Sequence, residues 1–336
     1  MTKKVFLYLI FSHDQQRQVA RLACAIRQLS PLSLIAVHHD PRLGELDQRL
    51  FAEIPSVFIV PNPVAAAWGD YSLVEQYIHS LRWCRENLRW DWISTVTGQS
   101  YPLRPLYLYE RFVEESGKNG FVRYFDAMSD ETWRNGILPR GEGERRYMYR
   151  YFKLPRFAYG HRMPAGLVSA LHWAREKLNQ IQPFVRVVPM PRGATRFGIR
   201  RWKLPFPEGF TLCCGRQSFQ IDLKACDYVL DYLRRNPGYE SFFKRCLIPD
   251  EGFFTTMLAN AQGMEIISDA LRYIKWSSRI GAARGAVIQA DETEAALQSE
   301  KAFGLKFDEN TAPDALSLVD QRLGILKNTF TKAGPV

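Results

Sequence analysis

A chain of 336 residues with 46% hydrophobic and 24% charged content can bury a substantial core, which excludes a disordered or fibrous protein. Its net charge of +10 suggests a polyanionic partner, and its six cysteines show neither CxxC spacing nor a disulfide framework, so they read as reduced thiols. The opening apolar run 5–11 is shorter than the ~20 residues of a membrane span and lacks a signal-cleavage pattern, so it reads as a buried strand of a cytoplasmic protein.

Residues 5–12 are the first expected strand. A helix follows over 16–29, where Val19, Leu22, Ala23, Ile26 and Leu29 share a face. Residues 32–38 form a second strand ending at Asp40-Pro41, a short helix covers 44–53, and 57–60 is a third strand before the Pro61-Asn62-Pro63 break. Leu73, Tyr77, Leu81, Cys84 and Leu88 make the stripe of a helix over 72–88, with Ser72 and Glu75 as its capping box. Strands over 92–96 and 120–124 complete a βα alternation, which predicts a mostly parallel sheet with helices on both faces. Ligands of such sheets bind at the carboxyl ends of the strands.

Between 126 and 207 the pattern breaks down, and only 165–178 reads as helix. Here residues 134–203 carry 16 Lys/Arg against 3 Asp/Glu, a net of +13. The segment reads as an irregular, basic, acceptor-side insertion that meets an anionic acceptor or a membrane face, although a solvated basic surface needs no partner at all. Nucleic acid is disfavoured because no recognised binding motif accompanies the charge. Order returns with a strand pair over 210–221, an Asp222-capped helix to 235, a helix opening at Pro249-Asp250-Glu251, a capping box Asp291/Glu294 for a helix over 292–299, and a last helix over 313–326. The expected organisation is one domain, with a nucleotide-binding half (1–125), the basic insertion (126–207) and a catalytic and acceptor half (208–336).

Few residues declare chemistry by themselves. Asp250-Glu251 suits a first helical turn through the helix dipole, and equally suits a general base that must reach a hydroxyl. Asp40 ends an early strand, where a carboxylate commonly reads a ribose, but Asp-Pro is also a natural turn. Trp68 precedes the strongest helix. Thr97-Gly98-Gln99 follows a strand at the sheet's carboxyl edge, where a glycine lets backbone approach a ligand. Lys306, with Arg279 and Arg284 upstream, offers cations for a diphosphate. Asp-x-Asp, the usual metal-diphosphate signature of sugar-nucleotide transferases, does not occur, and no P-loop, GxGxxG, HExxH or GxSxG is present.

In their order these segments resemble the core-2/I-branching β-1,6-N-acetylglucosaminyltransferase family, which includes peptide O-xylosyltransferases. The resemblance rests on Ser12-His13, His38–Asp40, Trp68 to Val74, Thr97 to Leu103, Gly215 to Phe219, Pro249 to Phe254, Leu271 to Trp276 and Lys306-Phe307-Asp308. Ser100 and Ser218 depart from the family's aspartate and aromatic. The resemblance implies a GT-A-type α/β fold and inverting, metal-independent transfer from a UDP-sugar, GlcNAc in the first reading and xylose in the second, to a glycan or lipid-linked glycan. It implies no cofactor and no bound metal. It implies Glu251 as the base, Ile10, Ser12 and Asp40 at the nucleoside, Lys306 with Arg284 or Arg279 at the diphosphate, and Asp250, Trp68 and Gln99 as acceptor-side or supporting residues. Without an anchor or a cysteine framework the chain looks like a bacterial-type relative acting in surface polysaccharide synthesis in the cytoplasm or at the inner membrane face. A carbohydrate- or nucleotide-binding protein that has lost catalysis is the alternative from another class.

Overall fold

The computed structural model describes residues 3–129, 141–154, 165–190, 195–276 and 285–326. Strand β1 (Phe6–Ser12) is the centre of the fold, buried along its whole length. Its side chains alternate between two cores, as period-two geometry requires. Phe6, Tyr8 and Ile10 join the helix Gln16–Leu29 and the C-terminal helix Pro313–Leu323, whereas Leu7, Leu9 and Phe11 join the helices Ser72–Asn87, Leu223–Arg235 and Phe253–Ala259.

Around β1 lie β2 (Leu34–His39) and β4 (Trp92–Thr97), both parallel to it, and β3 (Val57–Ile59), parallel to β2. Next to β4 runs β10 (Cys213–Asp222), then β6 (Gly120–Asp126) and β11 (Ile266–Ile267). The sheet order is β11-β6-β10-β4-β1-β2-β3, and β10 alone is antiparallel to its neighbours. This seven-stranded, mostly parallel sheet between helical layers is the expected α/β architecture. Because β10 runs backwards, its first residues stand beside the carboxyl ends of β4 and β6.

A bulge interrupts β10 between Gly215 and Phe219. A Cβ on Gly215 would lie 1.7 Å from the Arg123 carbonyl oxygen, so backbone rather than a movable side chain occupies the space. Gly215→Ala should therefore cost at least the ~1–3 kcal/mol of ordinary overpacking, read as a lower denaturant midpoint. An unchanged midpoint would mean that the bulge relaxes freely.

Two smaller sheets edge the large one. In the first, β13 (Phe303–Leu305) lies between β5 (Ser100–Pro102) and β12 (Arg272–Ile274). The second corrects the expectation of an irregular 126–207 region. Here β7 (Tyr149–Lys153), β8 (Val185–Val188) and β9 (Arg196–Arg200) form an antiparallel sheet in the order β7-β9-β8, with a helix over Ala165–Ile181. Tyr149 and Tyr151 pack with Leu247 and Ile248, docking this sheet on the main body. Asp70 completes the joint, binding Lys153 Nζ at 2.8 Å and Arg196 Nη2 at 2.6 Å. Burial opposes ionisation of Asp70, but these two cations outweigh it and hold the carboxyl at about 2.

Several local expectations need correction. Ser72 is the first helical residue rather than the cap: its Oγ accepts from Ala67 N, and its N–H donates to Asp70 Oδ1 at 3.2 Å. The later capping box is Gln289/Glu292 rather than Asp291/Glu294. The segment 44–53 contains the 3₁₀ turn Gln48–Phe51 instead of an α-helix, and the pair over 210–221 is one bulged strand. Asp222 does cap its helix, accepting from Ala225 N at 2.7 Å.

Candidate active site at the carboxyl edge of the sheet

Four chain segments meet where β1, β2 and β4 end. The Asp40 N–H donates to the Ser12 carbonyl at 2.8 Å, and Ser12 Oγ lies 2.8 Å from His39 Nδ1. Burial lowers the pKa of both His38 and His39, His38 to about 4, so both rings are neutral at pH 7. The Gly98 N–H donates to Phe11 O, and a Cβ on Gly98 would sit 3.2 Å from that of Ser12. Here the glycine serves the approach of the turn to β1. Buried Gln18 then ties the edge together, donating to the Gly98 and Phe307 carbonyls and accepting from Glu309 N. Phe307 N donates to Gln99 O at 2.8 Å, which seats Lys306 directly beside the Thr97–Gln99 turn.

The nucleoside-side residues differ in availability. Ile10 is fully buried in the core. Asp40 is buried and already engaged: it accepts from Arg42 N and Ala66 N at 3.0 Å and pairs with the Arg42 guanidinium at 2.7 Å. Against the burial, which raises its pKa, these partners hold the carboxyl below the ordinary range. A ligand reaching Asp40 has to share it with Arg42. Trp68 is half exposed near this edge, Gln99 is half-buried, and Arg279 and Arg284 lie outside the described residues.

Further along the edge, a 3₁₀ turn over Pro249–Glu251 separates two adjacent carboxylates. The Asp250 side chain turns inward, and its Oδ1 has no hydrogen-bond partner among the described residues. Glu251 turns outward, with its side chain 39% exposed, and pairs through Oε2 with Nη1 of Arg146. Arg146 is itself buried and also binds Glu142 at 2.7 Å. Arg145 braces Glu142 from the other side at 2.6 Å. Sequence reasoning missed Arg146. Its only signal is the i, i+4 spacing from Glu142 within a stretch crowded with arginines.

Burial first, and the Glu251 charge second, push the Asp250 carboxyl up to about 7. Its folded pKa thus exceeds its unfolded value, so the native state holds the proton more tightly. The resulting stabilisation is present below about pH 4 and is lost as the pH rises through about 7. Three pH units at ~1.4 kcal/mol each bound the loss at roughly 4 kcal/mol. Asp250→Asn should flatten this part of the stability profile, measured as unfolding free energy at pH 4, 6 and 8. An unchanged slope would assign the pH dependence to other groups.

Beside Glu251, the start of β10 contributes Arg216. Its guanidinium stacks 4.2 Å from the Trp276 ring centroid, and burial lowers its pKa. A cleft of ≈ 310 Å³ opens there, lined by Arg123, Arg216, Asp269, Arg272, Trp276 and Lys301. Lys301 pairs with Asp269 at 2.7 Å. Partly buried Arg272 donates to Ser94 Oγ and the Thr95 carbonyl at about 3 Å, bracing β12 against β4. Trp276 bridges to Gly285, and the side chain of Lys306 passes close to Gly285. Glu251, the cationic cleft and Lys306 thus follow one another along the carboxyl edge.

Residues 145–299, which hold Arg146, Arg216, Glu251 and Trp276, match the family model described as the Core-2/I-Branching enzyme. The match covers a little under half of the chain and shows its similarity to that family. Core-2/I-Branching enzymes are glycosyltransferases, and this edge is accordingly the candidate active site of a transferase of sugars. Nothing among curated proteins matches the chain. The solved structures that match include two of slight similarity. One is a putative glucose-1-phosphate thymidylyltransferase from Bacillus anthracis in complex with a sucrose, at 9% identity, covering 67% of this chain and 74% of that one, with a TM-score of 0.29. The other is HddC from Yersinia pseudotuberculosis, at 10% identity, covering 37% and 60%, with a TM-score of 0.25. Within the matched stretch the basic insertion has a role in the fold: it delivers Arg146 to the carboxylate of the 3₁₀ turn.

Proposed function

We propose that the protein transfers a sugar, GlcNAc in the first reading, from a UDP-sugar to a glycan hydroxyl with inversion and without a divalent metal. The observation that carries this reading is Glu251, a half-exposed carboxylate fixed by a buried arginine at the ligand-binding edge of an α/β sheet, beside a cationic cleft. In the proposed step Glu251 takes the proton from the acceptor hydroxyl as that oxygen attacks C1 of the donor. The C1–O bond to UDP breaks, and Lys306 balances the charge growing on the departing diphosphate. Arg146 keeps the carboxylate in place, and Trp276 offers a flat apolar surface against which a sugar ring can lie.

The metal question has a direct test. Purified protein is screened by thermal shift against UDP and UDP-sugars with EDTA present, since a ligand that binds the native state raises its melting temperature. UDP-GlcNAc or a related UDP-sugar should raise it, and Mn²⁺ should add nothing. A shift that appears only with Mn²⁺ would replace Lys306 by a metal in this scheme.

A further inference from the structure

The sheet formed by β7, β8 and β9 and the helix beside it carry several exposed large apolar side chains. On its helix, Leu171, Leu178 and Ile181 recur at helical spacing and are exposed, Ile181 at 78%. The turn after the helix carries Phe184, which is 55% exposed. Its ring lies 6.2 Å from that of Trp202, the most exposed large apolar residue described, at 82%. The Phe184 carbonyl accepts from Arg200 N, which ties this turn to β9 two residues before Trp202. A tryptophan, a phenylalanine and isoleucines left this open in water are unusual unless something covers them.

Charge identifies what covers them. Residues 165–203 hold eight Lys/Arg and a single acidic residue, Glu176. Exposed cations flank these residues: Lys177 one turn before Ile181, and Lys203 beside Trp202. Protruding aromatics flanked by cations suit a surface with negative headgroups above an apolar layer. A soluble polyanionic glycan can meet the cations and lie on an aromatic ring, but it leaves the aliphatic Leu171, Leu178 and Ile181 in water.

We infer that the exposed Ile181, Phe184 and Trp202, with Lys177 and Lys203 beside them, dock the protein on an anionic lipid bilayer. The inference does not depend on the proposed transfer reaction, because vesicle binding is read without turnover.

The test is co-sedimentation of the full chain with vesicles of phosphatidylcholine alone and with vesicles that also contain phosphatidylglycerol. The wild-type protein should pellet with the anionic vesicles and stay in solution with the neutral ones. Binding should weaken at high salt. The variant I181E/F184E/W202E should lose binding by about 10-fold or more, and K177E/K203E by a similar factor. Both should keep the wild-type melting temperature, because every altered side chain is exposed. Wild-type protein that ignores anionic vesicles would overturn the inference, as would unchanged binding in both variants. A second copy of the chain is the competing occupant. A wild-type dimer by sedimentation velocity that I181E/F184E/W202E converts to monomer, without vesicle binding, would replace the bilayer by self-association.

Discussion

Glu251→Gln should leave the fold and donor binding nearly intact and lower turnover by ~10²–10⁴-fold, the range expected when a general base is removed. The substitution keeps side-chain size and a hydrogen-bonding oxygen for Arg146, which retains Glu142 as its second carboxylate. If Glu251 served only to complement its turn, the change would cost no more than ~0.3–1 kcal/mol of stability and no activity per folded molecule. Initial rate and melting temperature on the same sample separate these cases, and near-wild-type turnover would remove Glu251 from the chemistry. A second effect belongs to the same variant. The Glu251 charge helps to raise the Asp250 pKa, so its loss should move the Asp250 midpoint below about 7.

Arg146→Met should produce the largest loss of stability. The substitution leaves Glu142, whose side chain is only 1% exposed, with Arg145 as its remaining cation. Breaking a buried ion pair by removing one partner costs about 3–5 kcal/mol, and the retained Arg145 places this case near the lower end. Arg146→Lys tests the functional half of the argument. Lysine keeps the charge but cannot present a planar fork to two carboxylates. Its melting temperature should fall less than that of the Met variant, while turnover per folded molecule falls roughly 10–100-fold through misplacement of Glu251. Full turnover in Arg146→Lys would show that the ion pair does not orient the carboxylate.

The parts of the fold that local patterns determine were legible in the sequence. The continuous apolar run of β1, buried on both faces, the one-sided helical stripe from Leu73 to Leu88 and the Asp222 cap each follow from backbone geometry and burial. The basic insertion misleads because its arginines look like a solvated surface. In the structure Arg196 binds Asp70 and Arg200 pairs with Glu144, so part of the charge is spent holding the small sheet on the body. Its strands do alternate, Tyr149-Arg150-Tyr151 and Phe197-Gly198-Ile199-Arg200, but arginine at alternate positions hides the pattern.

The site was legible in segments but not in its contacts. The conjunction of Ser12, Asp40, the Thr97–Gln99 turn and Lys306 at one edge follows from strand order and the Gln18 hydrogen bonds. The divergent fates of Asp250 and Glu251 could not be read from adjacency, because a 3₁₀ turn sends one inward and the other outward. Arg146, more than 100 positions before Glu251, reaches it only through tertiary structure.

The central claim is tested most directly by acceptor-dependent transfer from UDP-GlcNAc, followed by NMR in EDTA with the wild-type protein and Glu251→Gln side by side. The account predicts that the wild-type protein releases UDP in step with a new β-linked sugar on the acceptor, and that the Gln variant binds donor but forms product at least ~10²-fold more slowly. An α-linked product, or equal rates for the two proteins, would contradict it.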